Sequence, residues 1–437
     1  MLAVLLLLGC KPTGSYLRRY QEIRPSRYTI LLPAGREGLP CISRFAENKR
    51  RLGFSVELVA FTPGGTPAER FEEAWKLLAE RAATHATPAY LLILATHEEL
   101  PMGPWMLPGE PEEEFLSDIP LTAPWEMAPP ETLSEDSWRI AASPPGPWIT
   151  GRPPYDNTET IEAALGAAVC FESPAESDPP QALLGAERFA VWADSAIVMS
   201  RARAAFRRAG WKGELWSQDP PRDRPTGTAR RTVELPRPQA ALEADRKRRG
   251  PLRSVVTTYT PTVSMDFLTR WAELSPRVVY AIAHASIFRG GVGKDLVDGD
   301  NMRALDLDPM ASIGPASPAI FVSTGCLTGY PGNTAIVELF RRGWIAGFVG
   351  CTIENGPSPL IPAVRAEVNI AYFLARGLPL GLAVQATKEA YASESLRAPG
   401  HWFFPSTRRL KRSNLLSYVI YGDPSLAARP QPLVSAQ

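Results

Sequence analysis

The sequence has almost no surplus of charge: 47 Lys and Arg stand against 46 Asp and Glu, for a formal net charge of +1. No global field is available to gather a polyanion, which argues against nucleic acid as a partner and against attachment to a membrane by charge alone. Cysteine is scarce, with five in 437 residues, and no C-x-x-C pair or nearby histidine gives metal-ligand spacing. Structural zinc is therefore not expected, and no metal or organic cofactor is implied. Histidine is scarcer still, at four residues. A P-loop, a G-x-G-x-x-G turn after a strand, an H-E-x-x-H helix and a G-x-S-x-G elbow are all missing. Their absence removes the usual signatures of nucleotide binding and of metallo- or serine hydrolases. Beyond the first ten residues no run is long and apolar enough to read as a transmembrane helix.

What is present is a chain longer than one hydrophobic core usually grows, so one large α/β unit with two subdomains, or two domains, is expected. The 44 prolines cluster between apolar segments, as in a globular protein with long Pro-rich connections. The N-terminus, MLAVLLLLGCK, is an apolar run ending in Leu7-Leu8-Gly9-Cys10, the form of a bacterial lipobox. On that reading residues 1–10 are a signal, Cys10 carries lipid, and the protein is anchored at the cell envelope on its periplasmic or surface face. No Lys or Arg precedes the run; if the signal is not genuine, the cytoplasm is the expected compartment.

From residue 28 onward, short β-rich runs alternate with amphipathic stretches, the pattern of parallel α/β architecture. YTILLPAG (28–35), SVELVAF (55–61) and YLLILAT (90–96) read as strands, with helices over 40–52 and 71–83 between them. Residues 98–147, rich in proline and carrying an acidic PEEEF patch, read as long surface loops. A strand end, a turn and a helix follow over 149–172, completing an N-terminal α/β subdomain at 28–172. The segment SPAESDPP (173–180) is the expected boundary. A second α/β subdomain spans 181–430. It begins with QALLGAE (181–187), a helix over 193–210 and GELWS (213–217), then carries a basic, Pro-rich insertion at 218–252. Helix 264–273 precedes VVYAIA (278–283). AIFVST (319–324), a helix over 334–343, IAGFVGCT (345–352), two further helices and a strand within LSYVIYGDPSL (416–426) close the unit.

Two of these buried-type strands stop next to the residues that carry chemistry. VVYAIA stops at His284, and AIFVST stops just before Cys326 in FVSTGCLTGY. In open parallel sheets ligands bind at the carboxyl ends of strands. A cysteine nucleophile needs a base or cation beside it and N–H donors for an oxyanion; His284 and the backbone N–H groups of Ala285 and Cys326 are candidates for these roles. The other reading is that Cys326 is a small core residue, since free Cys is among the most buried types. Cys351, one strand later, is its rival but has no assignable partner, and His85 and His97 read as loop or capping residues.

The order of these motifs resembles the gingipain-type cysteine peptidases, family C25, of the clan with the caspase-like fold. His284-Ala285-Ser286 resembles the family's strand-end His-Gly-Ser, and Ser323-Thr324-Gly325-Cys326 its nucleophile strand. Glu338 lies on the following helix, and Gly347-Phe348-Val349-Gly350-Cys351-Thr352 matches the next strand. YLLILATHEELP, WITGRPP and YGDPSL match flanking segments, so the likeness runs over roughly residues 28 to 430. The resemblance implies a caspase-like α/β fold and a cysteine-type endopeptidase acting on protein or peptide, with Cys326 as nucleophile and His284 as its partner. It further implies Glu187 behind the histidine and Asp194 in a pocket for a basic P1 side chain, Arg or Lys. Departures are Ala285 in place of glycine and Thr96-His97 in place of Gly-Asp. They leave open an alternative, a catalytically weak or inactive caspase-like binding or scaffold module.

Overall fold

Continuous apolar runs and amphipathic helices can satisfy their backbones and bury their apolar faces together only by layering helices on a sheet. In the computed structural model the described residues are 13–84, 88–107, 110–122, 148–154, 158–173, 179–186, 195–217, 262–282, 296–297, 303–305, 317–323, 328–331, 333–352, 362–395 and 417–429. The first half runs α1 (Thr13–Glu22), β1 (Arg27–Pro33), α2 (Pro40–Arg51), β2 (Ser55–Phe61), α3 (Pro67–Ala82) and β3 (Ala89–Ile93). It continues with β4 (Gly103–Leu107), β5 (Glu110–Ser117), the single turn α4 (Ile119–Thr122), β6 (Trp148–Gly151) and α5 (Thr158–Glu172). Strands β2-β1-β3-β6 form a parallel sheet in that order. All five residues of β3 are buried, as a strand covered on both faces requires. The start of α3 is set locally: Thr66 and Glu69 form a reciprocal capping box, with Pro67 in the first turn.

The second half runs β7 (Gln181–Ala186), α6 (Ser195–Arg208), β8 (Lys212–Ser217), α7 (Thr262–Leu274) and β9 (Val278–Ile282). The short pair β10 (Leu296–Val297) and β11 (Arg303–Leu305) comes next. Then follow β12 (Ala319–Ser323), α8 (Thr334–Arg341), β13 (Ile345–Cys351), α9 (Pro362–Ala375), α10 (Leu380–Ser395) and β14 (Tyr418–Gly422). The order β14-β13-β12-β9-β7-β8 makes a six-stranded sheet, parallel except for β14, which runs antiparallel to β13. No helix among the described residues is long and apolar enough to cross a membrane.

The reading of 98–147 as loops is corrected in part. Residues 103–107 and 110–117 pair as the antiparallel strands β4 and β5, and α4 follows. Their sequences, GPWML and EPEEEFLS, carry proline and clustered acids, which obscure the alternation that marks a strand. Helix α1 also lies outside the elements expected from the sequence.

The two sheets join at one seam. Arg152 N–H donates to Ile420 O at 3.0 Å, and Gly422 N–H donates to Arg152 O at 2.6 Å, so the end of β6 pairs with β14. One apolar cluster runs across the join, from Tyr28 and Leu92 to Val278, Tyr280 and Val322. Beside it lies a buried polar lock. Lys49, fully buried on α2, pairs with Glu172 of α5 and Asp423, and donates to Ser425 Oγ at 2.9 Å. Tyr28 OH, Ser425 N–H and Ser425 Oγ all donate to Asp423 Oδ1, at 2.7, 2.8 and 2.8 Å. Desolvation pushes Glu172 up to about 7, with Asp423 adding to the rise and Lys49 opposing it.

Candidate active site

Three neighbouring strands of the second sheet point the same way. β9 pairs in parallel with β7 on one side and β12 on the other, so their carboxyl ends share one edge. The last pairs toward that edge are Ala186↔Ile282 and Ala281↔Ser323. In the sequence Glu187 follows Ala186 directly, His284 comes three places after Ala281, and Cys326 three places after Ser323. Glu187, Asp194, His284, Ala285 and Cys326 themselves lie outside the described residues, as do Cys10 and His85.

What is described is the frame around those positions. Ser323 is fully buried; its carbonyl accepts from Thr328 Oγ1 at 2.8 Å, and its own hydroxyl has no hydrogen-bond partner among the described residues. Thr328 is fully buried too, and its Oγ1 accepts from Cys351 N–H at 3.3 Å. The next residue is held twice: Gly329 N–H donates to Cys351 O at 2.8 Å, and Tyr421 OH donates to Gly329 O at 2.8 Å. Asn333 completes the turn, with Nδ2 donating to Thr328 O and its N–H to Tyr330 O, both at 3.1 Å. A Cβ on Gly329 would stand 2.8 Å from Gly350 C, and one on Gly350 would stand 2.7 Å from Gly329 N. The two glycines in LTGY and FVGC are thus required by a close approach of backbone to backbone.

Cys351, the rival thiol, is fully buried in the core cluster at the end of β13. Thr352 beyond it donates through Oγ1 to Leu116 O at 2.8 Å, which ties the end of β5 to this sheet. Lys388 of α10, also buried, donates to Tyr418 O at 3.0 Å, and desolvation brings it down to about 8. Among the ion pairs of the described residues, Glu338 pairs only with Arg341 on its own helix and Arg342 just beyond it.

The corresponding edge of the first sheet is closed by charges. Arg36 and Glu99 form a bidentate pair, and Glu99 Oε2 accepts from Thr96 N–H at 2.8 Å. Arg152, 2 % exposed, pairs with Asp118 and donates to Leu100 O at 3.0 Å. His97 caps a turn, its Nδ1 accepting from Met102 N–H at 3.3 Å. Burial, and then Arg152, lower its pKa, so it serves the loop as a neutral acceptor.

Sequence reasoning missed Thr328, Tyr421 and Lys49. Thr328 and Tyr421 lie inside segments that drew attention for other reasons, LTGY beside Cys326 and YGDPSL near the end. Only Asp423-Pro424-Ser425 offered a local signal, because Asp followed by a residue two on with a free N–H forms an Asx-type turn.

No protein-family model and no curated protein matches the sequence. Solved structures do match. The crystal structure of the Arg-specific cysteine proteinase gingipain R (RgpB) superposes with a TM-score of 0.60 at 13 % identity, over 94 % of this chain and 80 % of that one. The complex of Porphyromonas gingivalis RgpB pro- and mature domains gives 0.58 at 12 %, over 92 % and 80 %. A structure described only as a protease gives 0.56 at 12 %, over 92 % and 78 %. These likenesses show the fold: a mostly parallel α/β arrangement with flanking helices, similar to that of the gingipain structures.

Proposed function

We propose that the chain is a cysteine-type endopeptidase that works through Cys326 and His284. The observation that carries this reading is the register of β9 and β12. Ala281 is paired with Ser323 on adjacent parallel strands, and His284 and Cys326 each follow that pair by three places in the sequence. Paired strands run ~4.8 Å apart. A chain also advances at most ~3.6 Å per residue, which supports a reading in which both residues serve one edge. Glu187, one place beyond Ala186 on the other side of β9, supports a carboxylate behind the imidazole.

In this mechanism the Cys326 thiolate attacks the scissile carbonyl carbon, and the carbonyl π electrons move onto oxygen. The backbone N–H groups of Cys326 and Ala285 hold that oxyanion. Collapse breaks the C–N bond, and His284 gives its proton to the leaving amine. Water then attacks the thioester with His284 taking its proton, and breaking the C–S bond releases the acid and restores the thiolate beside a protonated His284. Asp194, which precedes α6 in the sequence, would pair with a basic P1 side chain and favour cleavage after Arg or Lys.

The test is a thiol-reactive peptide probe with Arg at P1, applied to folded, reduced protein. Cys326-dependent labelling, lost in Cys326→Ala, is the expected result, with an Asp194→Asn variant losing the preference for a basic P1. Ala285 in place of glycine favours a second reading, a binding module with the same fold. Absence of labelling on wild-type protein would replace the enzyme with that module.

A further inference from the structure

We propose that Thr328 is a positioning residue for the Cys326 thiol, an inference that rests on the peptidase reading above. Thr328 stands two places after Cys326, and Ser323 three places before it. The Thr328 hydroxyl joins the two: its proton goes to Ser323 O at 2.8 Å, so the described residues that flank the nucleophile in the sequence are tied to each other. The same oxygen accepts from Cys351 N–H at 3.3 Å, so one buried atom links the ends of β12 and β13. A hydroxyl can donate once and accept at its lone pairs, and Thr328 does both at once.

The chain is anchored again at the following residue. Gly329 is bound to Cys351 O and to Tyr421 OH, and its backbone lies against Gly350 too closely for a side chain on either residue. Thr328 and Gly329 are therefore held against the sheet by contacts that cannot be widened without moving β13. Acyl transfer depends on the nucleophile being held within a fraction of an ångström of its attack line. None of these ties carries a formal charge, so Thr328 acts through geometry and leaves the ionisation of the thiol to its neighbours.

Valine has the shape of threonine without its hydroxyl, and serine keeps the hydroxyl without the methyl. The full chain, reduced and folded, is labelled at Cys326 with two reagents, and the rate is read by peptide mapping. The first is a peptide acyloxymethyl ketone with Arg at P1, which must align with the histidine and the oxyanion donors. The second is iodoacetamide, which needs only a thiolate. Thr328→Val should slow the peptide reagent ~10-fold, the loss of about one well-placed buried hydrogen bond, and Thr328→Ser should recover most of that rate. The iodoacetamide rate should stay within about twofold of wild type in both variants, whereas unfolding would raise it. If Thr328→Val does not fold, Thr328→Ala takes its place in the comparison with Thr328→Ser. A wild-type peptide rate in the variant lacking the hydroxyl, an equal slowing of both reagents, or a serine variant as slow as valine would each overturn the positioning role alone. A wild-type protein that the peptide reagent does not label at Cys326 would overturn the peptidase reading, and this inference with it.

Discussion

The seam between the sheets and the carboxyl edge of the second sheet solve the same problem, holding turns against strands, with different chemistry. At the seam the tie is ionic: one fully buried lysine, two carboxylates, a tyrosine and a serine. At the edge the described ties are a threonine hydroxyl, a tyrosine hydroxyl, an asparagine and two close-packed glycines. A buried ion pair fixes geometry strongly but must be complete, because a lone charge left in the core is expensive. Uncharged hydroxyls hold less tightly, and they add no field to a place where a thiol and an imidazole are proposed to set one another's protonation. The contrast separates a region built for persistence from one built for position.

Three changes would sharpen or break that contrast. The largest effect is expected at the seam. Asp423→Ala removes the acceptor used by Lys49, Tyr28 and Ser425 together, and should cost about 3–5 kcal/mol in urea denaturation. A loss under about 1 kcal/mol would mean that the lock is ornamental. Next comes the pH response. Because burial raises the Glu172 carboxyl from 4.5 to about 7, its folded form binds the proton more tightly than the unfolded form. Its contribution is therefore complete below about pH 4.5 and is lost as pH rises through about 7. Glu172→Gln should flatten that decline, by up to roughly 3 kcal/mol between pH 4.5 and 8. Parallel curves for the two proteins would refute the assignment. The smallest effect belongs to the edge. Tyr421→Phe removes one bond to Gly329 O and should lower stability by about 1 kcal/mol, with no pH dependence between 4.5 and 8. A loss as large as that of Asp423→Ala would erase the distinction between the two regions.

Much of the fold was legible because its elements announce themselves by period and punctuation. YLLIL, AIFVS and IAGFVGC are continuous apolar runs, and the structure buries every described residue of the three strands. The helix over 71–83 begins four residues earlier, where Thr66-Pro67-Ala68-Glu69 supplies a capping box. The strand pair at 103–107 and 110–117 was not legible, because its stability comes from pairing between two strands whose prolines and acids point away from strand in isolation. The candidate site divides in the same way. Cys326 and His284 stand out because thiols and imidazoles are rare here and follow strands. Thr328 does not, since a threonine near a turn is ordinary until its two partners, Ser323 and Cys351, are known to lie beside it.

The sequence by itself determined the central strands of both sheets, most of the helices between them, and which scarce residues follow strands, because these depend on side-chain type over a few neighbouring positions. Only the tertiary structure decided that β7, β9 and β12 lie side by side in parallel, that β14 closes the sheet and meets β6, and that Lys49 finds Asp423 across the seam. Those outcomes depend on register and on contacts between residues hundreds of positions apart, where many pairings share the same local pattern and only the packed whole selects one.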